Sequence, residues 1–323
     1  RRSLLVDTDT LTNSPIIEPV PRYKASDYSL EDLLTLEKDN PLHDFSPEER
    51  SIFINLALSG LFDGLPENQR PMLMRRSLYK PYLHQTQMLG KGVRNGQPGV
   101  VTSGTGSGKT ESFMLPILAS IAKEAIKWPK PLTRIEGNTW FKNGNRIYFG
   151  RYTSKSPVTG FSNHPRLAND ADEIKSRKKR VQKLKDQLTY SQKYYENAKK
   201  FDDLSTSNTE KNQYLFPNVL GSELVSRWDM QETPPDILVT NTSMLSIMLS
   251  REVDQGVFEN TKQWLISDPD AYFYLVLDEL HLIRGSAGTE IAGLIRYLIH
   301  RLGLDKPEHS HKLRILASSA SLP

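Results

Sequence analysis

The chain has 323 residues, 37% hydrophobic and 25% charged, with a net charge of +4, enough for one large core or two modest ones and too mildly basic to demand a polyanionic partner. It has no cysteine, which excludes disulfides, thiol catalysis and cysteine-ligated zinc or iron–sulfur centres within it. Its apolar runs, such as Ala271–Leu277, are strand-sized and far short of the roughly 20 residues that cross a bilayer, and no secretory pattern opens it, so a cytoplasmic protein without membrane contact is expected.

Residues 1–77 begin polar and proline-punctuated and then turn helical. In SPEER, Ser46 is a helix cap, Pro47 suits the first helical position and Glu49 completes a capping box. Ile52, Phe53, Leu56, Leu58 and Leu61 fall roughly on one helical face, the mark of a packed accessory helix. From about Leu78 short strands alternate with helices, as in a parallel sheet wrapped by crossover helices. The expected strands are Val100–Thr102, with Gly99 at its start, then Ile237–Thr240, Tyr274–Leu277 and Arg314–Ala317. Between Gly160 and Gly221 the centre of the sequence, from Glu173 to Phe201, favours helix and is rich in lysine and arginine, with Ile174, Val181, Leu188 and Tyr195 at heptad spacing. Two readings stand for it: a solvated helix packing one stripe on its neighbours, or a basic arm that meets nucleic-acid phosphate.

Two stretches carry chemistry. VVTSGTGSGKT runs from a strand into a helix expected over Thr110–Ile126. The amides of Thr105, Gly106, Ser107 and Gly108 can curl into an anion-sized nest at the positive end of that helix. Lys109 then reaches the outer phosphates and Thr110 can ligate magnesium, the arrangement that binds ATP. A glycine linker would not be framed by strand and helix. YLVLDELHLIRG is an apolar strand delivering two adjacent carboxylates; strand alternation sends Asp278 and Glu279 to opposite sides. Beside a phosphate nest Asp278 would hold Mg2+ and Glu279 would orient and deprotonate the attacking water.

SGTGSGKT departs from the strict phosphate-loop pattern in having Ser103 where glycine is usual, and with DELH it resembles the nucleic-acid motors of helicase superfamily 2, DELH looking like their DExH box. The resemblance implies a P-loop NTPase, RecA-like lobe of α/β class with a parallel sheet flanked by helices, a helical N-terminal segment over 1–77, and a basic helical insertion at about 161–221 within a lobe over 78–323. It implies that His281 links the ATP site to the next motif. LYKPYLHQTQML resembles the Q-type motif, with Gln85 reading adenine and Tyr79 or Tyr82 stacking on it, although a buried structural glutamine fits the same residues. SSASLP resembles motif III, with Ser319 and Ser321 coupling hydrolysis to movement, and PDILVTNTSML resembles the turn in which Thr240 and Asn241 meet the nucleic-acid backbone. RIYFGRYTSKSPVTG and HLIRGSAGTEIAGLIRYLIHRLGL narrow the resemblance to large bacterial helicases related to the MrfA repair helicase and to the motors of anti-phage systems such as DISARM and Druantia.

The implied function is an ATP-dependent DNA helicase or translocase motor of bacterial defence or repair. An RNA helicase, a duplex-DNA translocase of restriction type and a non-catalytic scaffold remain as rivals. Two departures qualify it. Nothing between Trp128 and Gly144 resembles motif Ia, so residues are expected to have been left out near Asn138–Gly144. The sequence stops after motif III, so a second RecA-like lobe, with its arginine finger, is expected in a larger parent, alongside possible defence-system partner subunits. Turnover by the chain alone should then be poor.

Overall fold

The computed structural model describes residues 23–61, 80–104, 106–128, 147–204 and 212–320. Helix α1 (Leu30–Leu33) is capped by the Ser29 hydroxyl. Helix α2 (Pro47–Leu56) carries the expected capping box: Ser46 Oγ accepts the Glu49 N–H at 3.2 Å and Glu49 Oε2 accepts the Ser46 N–H at 2.7 Å. Next come α3 (Leu83–Gly92), β1 (Gly99–Thr102) and α4 (Lys109–Ala125). Leu30, Leu34, Leu42 and Phe53 form one buried cluster with Leu89 of α3 and Leu115, Leu118 and Ala122 of α4. No packing boundary therefore separates residues 23–61 from α4. Complete burial of Phe53 and Leu115 is worth about 1.5–3 kcal/mol each.

Beyond α4 follow β2 (Phe149–Tyr152), the long α5 (Ala171–Leu204), β3 (Glu223–Leu224), α6 (Arg227–Glu232), β4 (Ile237–Thr240) and α7 (Thr242–Ser250). Helix α8 (Gln255–Ser267), β5 (Phe273–Leu277), α9 (Gly285–Arg301) and β6 (Leu313–Ser319) complete the described chain. All strand pairs are parallel, as expected, but they form two sheets of three: β1-β6-β5 and β3-β2-β4. The segment leaving α4 lies outside the described residues, and β2 pairs with β3 and β4 rather than with β5. The sheets still share a core, because Tyr152 and Leu224 of one join Met248, Phe258, Leu265 and Leu298, against which Leu238, Phe273 and Leu275 pack. The region expected to hold motif Ia falls largely in residues 129–146, outside the described residues.

The basic stretch is the single helix α5, and none of its 34 residues is buried. At about 1.5 Å per residue it is roughly 50 Å long. Its base is tied down by two arginines. Arg180 donates to the Thr159 and Phe161 carbonyls at 3.0 and 3.2 Å and lies over the Trp228 ring, and Arg177 donates to the Ser162 carbonyl. At its far end Asp202 accepts the backbone N–H groups of Asn212 and Gln213 at 3.0 and 2.8 Å, pinning the returning chain.

Candidate active site

Strand β6 lies between β1 and β5 and brings their carboxyl ends together: Thr102 pairs with Ser319, and Leu277 with Ala317. In an open parallel sheet this end holds the ligand. The Ser103 N–H donates to the Ser319 carbonyl at 3.1 Å, continuing the pairing into the loop. There the chain needs backbone angles closed to side chains. Gly106 and Gly108 both have φ of 74°, and Gly108 begins α4 in the left-handed region. A Cβ on Gly108 would stand 2.3 Å from Gln85 Nε2. The amides of Lys109 and Thr110, first in α4, have no intrahelical acceptor and sit at the helix's positive end. Ser103 and Ser107 are joined through their hydroxyls. Thr105 lies outside the described residues.

The Lys109 ammonium is nearly buried; it donates to the Ser103 carbonyl at 3.1 Å and lies 3.9 Å from Glu279 Oε1. Thr110 is exposed. The two sequence motifs, far apart in the chain, thus meet in one polar corner.

The carboxylates diverge for a different reason than strand alternation. Strand β5 ends at Leu277, and Glu279 adopts a left-handed φ of 53°, unusual for a residue with a side chain. Asp278 Oδ1 accepts the Ser318 hydroxyl and, at 3.1 Å, the Glu279 N–H. The turn aims Glu279 at Lys109 and at His281, whose Nδ1 is 3.2 Å from Glu279 Oε2. That nitrogen also accepts the Ala320 N–H at 3.3 Å. Glu279 Oε2 is buried with no hydrogen-bond donor among the described residues. No group of three or more His, Asp or Glu side chains fit for a metal occurs among the described residues. A dication here would rest on Thr110 and Asp278 and take its other oxygens from phosphate and water, which suits Mg2+.

Gln85, expected to read adenine, has its amide engaged within the chain. It is 3% exposed; Oε1 accepts the Tyr82 N–H at 2.8 Å and Nε2 donates to the Gly108 carbonyl at 3.2 Å. Beside it His84 Nε2 donates to the Ser107 carbonyl at 2.9 Å, and burial pushes the His84 pKa down. One face of Tyr82 is covered by the His84 ring, 5.5 Å away and nearly parallel; Tyr79 lies outside the described residues. Tyr23 accepts the Gly104 N–H at 2.8 Å through its hydroxyl. Residues 24–26 bond to 81–83, through Leu83 N–H to the Lys24 carbonyl and Ser26 N–H to the Pro81 carbonyl. The N-terminal segment therefore braces the phosphate loop, a role that sequence reading missed.

Of the serines expected to couple, Ser321 lies outside the described residues and Ser319 is fully buried, lending its carbonyl to Ser103. The serine whose side chain reaches Asp278 is Ser318, which sequence reading passed over. Thr240 ends β4 in the other sheet, and Asn241 follows it as the cap of α7. Thr240 Oγ1 donates to the Tyr152 carbonyl at 2.8 Å, and Asn241 Oδ1 caps α7 by accepting the Met244 N–H at 2.8 Å. The Asn241 side chain is exposed, and its amide NH2 has no acceptor among the described residues.

No family model matches the chain. It is 30% identical over 376 aligned positions to Druantia protein DruE of Escherichia coli (strain UMEA 4076-1), a match that takes in the whole chain and 19% of that protein. The Druantia resemblance expected from the motifs is thereby found, and the chain spans about a fifth of the length of this relative. Among solved structures, the DUF1998 helicase MrfA bound to DNA and AMPPNP gives a TM-score of 0.41 at 18% identity, covering 100% of this chain and 31% of that one. A second structure of MrfA gives 0.36 at 19% identity, covering 84% and 29%. No helix among the described residues is long and apolar enough to cross a membrane.

Proposed function

We propose that the chain is the first RecA-like lobe, a P-loop NTPase unit, of an ATP-driven superfamily 2 DNA helicase or translocase serving anti-phage defence or DNA repair. The observation that carries the reading is strand β6, which bonds to the glycine loop through the Ser319 carbonyl at Ser103 and to Asp278 through the Ser318 hydroxyl. Support also comes from the 30% identity to DruE, which takes in the whole of this chain and about a fifth of that protein.

In this reading the amides from Gly106 to Thr110 cradle the β- and γ-phosphates, and Lys109 leaves the Ser103 carbonyl to meet the outer oxygens. Thr110 and Asp278 would hold Mg2+, which when bound neutralises charge on the triphosphate oxygens. Glu279, with one oxygen free of donors, takes the proton of the attacking water. His281 and Ser318 pass the state of Glu279 and Asp278 into β6 and the segment after it. Gln85 and His84 fix the loop's shape, and Asn241, with Thr240 behind it, offers a contact to a nucleic-acid backbone. A second RecA-like lobe of the parent protein closes the site and supplies the arginine finger.

The test is ATP hydrolysis by the full-length protein with single-stranded DNA, duplex DNA or RNA, using Lys109→Ala as the blank. Stimulation by DNA that vanishes in the blank is expected. Stimulation by RNA alone would replace the track, and bound ATP without hydrolysis under any condition would make the fold a scaffold.

A further inference from the structure

Helix α5 alone carries ten lysines and arginines against six acidic residues, a surplus equal to the net charge of the whole chain, +4. Between Ile174 and Lys185 seven basic residues occur with no acidic one. The structure separates these seven by face. At about 100° per residue, Arg177 and Arg180 fall on the side where the half-buried Val181, Leu184, Leu188 and Tyr195 lie. Both bond to the 159–162 loop. Lys175, Lys178, Lys179, Lys183 and Lys185 fall on the opposite side, within about 80° of Lys175 around the helix. All five are exposed, and none has an ion pair or hydrogen bond among the described residues.

We propose that this outward lysine face of α5 is a docking surface for the phosphate backbone of a nucleic-acid duplex, apart from the ATP corner. Charge complementarity carries the assignment: five unpaired ammonium groups over about 15 Å of helix match a polymer with one negative charge per 1.7 Å or so of its axis. Fixing the body side with arginines and leaving compact, rotatable ammonium groups outward suits sequence-independent contact with phosphates. A single strand would call for exposed rings among the lysines to stack its bases, and there is no aromatic residue from Lys175 to Lys185. Two exposed rings, Tyr190 and Phe201, share the lysine side farther along the helix, beyond this cluster, and the Tyr190 hydroxyl is tied to Tyr194 at 2.6 Å, which stacks on Phe216.

The proposal is tested on the full-length protein without nucleotide, by measuring affinity for a short DNA duplex between about 50 and 200 mM salt. The variant combines Lys175→Gln, Lys178→Gln, Lys179→Gln, Lys183→Gln and Lys185→Gln, all at solvated positions that touch no core. Five phosphate contacts contribute about −4 to −5 to the slope of log affinity against log salt. The variant should lose most of that slope and bind duplex at least about tenfold more weakly at 100 mM salt. Arginine at the same five positions should restore both, and ATP hydrolysis without nucleic acid should not change. Unchanged duplex affinity and slope would overturn the proposal, as would a loss confined to single-stranded DNA. Because binding is read without ATP, failure of the motor reading would leave this result standing, and the reverse also holds.

Discussion

Lys109 is 10% exposed and divides its ammonium between the Ser103 carbonyl and Glu279, whereas the five outward lysines of α5 stand in water without partners. In the two proposed roles the same residue type serves two kinds of work. At the phosphate loop the charge must sit at one place, so neighbours fix it: a carbonyl, a carboxylate and glycines whose backbone angles leave no alternative. Along α5 a charge is useful anywhere on a face, so the chain spends no packing on it and keeps the ammonium groups hydrated. Geometry is costly to build and easy to break at a single position; a diffuse surface should yield only to several changes at once.

The comparison is tested hardest at Glu279. Glu279→Gln in the full-length protein should keep nucleotide binding and lower nucleic-acid-stimulated hydrolysis on the order of a hundred- to ten-thousandfold, read by steady-state turnover beside equilibrium nucleotide binding. Normal turnover would remove Glu279 from its role and leave the corner a binding site. Next in size is Gly108→Ala, which puts a Cβ against the buried Gln85 amide and forces a side-chain-bearing residue into the left-handed region. It should cost about 2 kcal/mol or more, seen as a lower Tm, where a single Lys→Gln on α5 leaves Tm within experimental scatter. The smallest effect concerns pH. Burial holds the His84 pKa below its ordinary value of 6.5, so the unfolded chain takes up the proton first. Stability should be flat above that value and fall as pH drops from it toward the lower folded value. His84→Gln, which keeps a donor for the Ser107 carbonyl, should flatten this dependence in urea denaturation at pH 7.5 and about 5.5.

The phosphate loop and the acid strand were legible because each is a local pattern: glycines that need positive φ, a lysine and threonine opening a helix, and carboxylates ending an apolar strand. The helix α5 was legible for the same reason, and its heptad residues Val181, Leu188 and Tyr195 do lie on the half-buried side, with Ile174 more exposed. What stayed hidden depends on register or on distant pairing. Which of Ser318 and Ser319 faces Asp278 follows from how β6 pairs with β5, and a one-residue slip exchanges the faces. Tyr23 reaches Gly104 across 81 positions, and no pattern in the polar N-terminal segment announces that contact. The amide of Gln85 could have served adenine or the loop; only the placement of Gly108 against it tells which bonds it makes. The division into two three-stranded sheets was equally out of reach, because short apolar runs state that a strand exists and not which neighbour it chooses.

The position of β6 between β1 and β5 also sets a timetable for biosynthesis. Ser318 and Ser319, the strand partners of Val101 and Thr102, leave the ribosome about 200 residues after them. At ordinary elongation speeds of about 5–20 residues per second, the phosphate loop waits roughly 10–40 seconds for the strand that secures it. During that interval β1 has an unpaired edge, and α4 can be sheltered by segments made before it, among them the helices whose Leu30 and Phe53 pack in its cluster. Those early helices are thereby placed to act as a nursery for the site, covering its apolar helix until the last strand arrives.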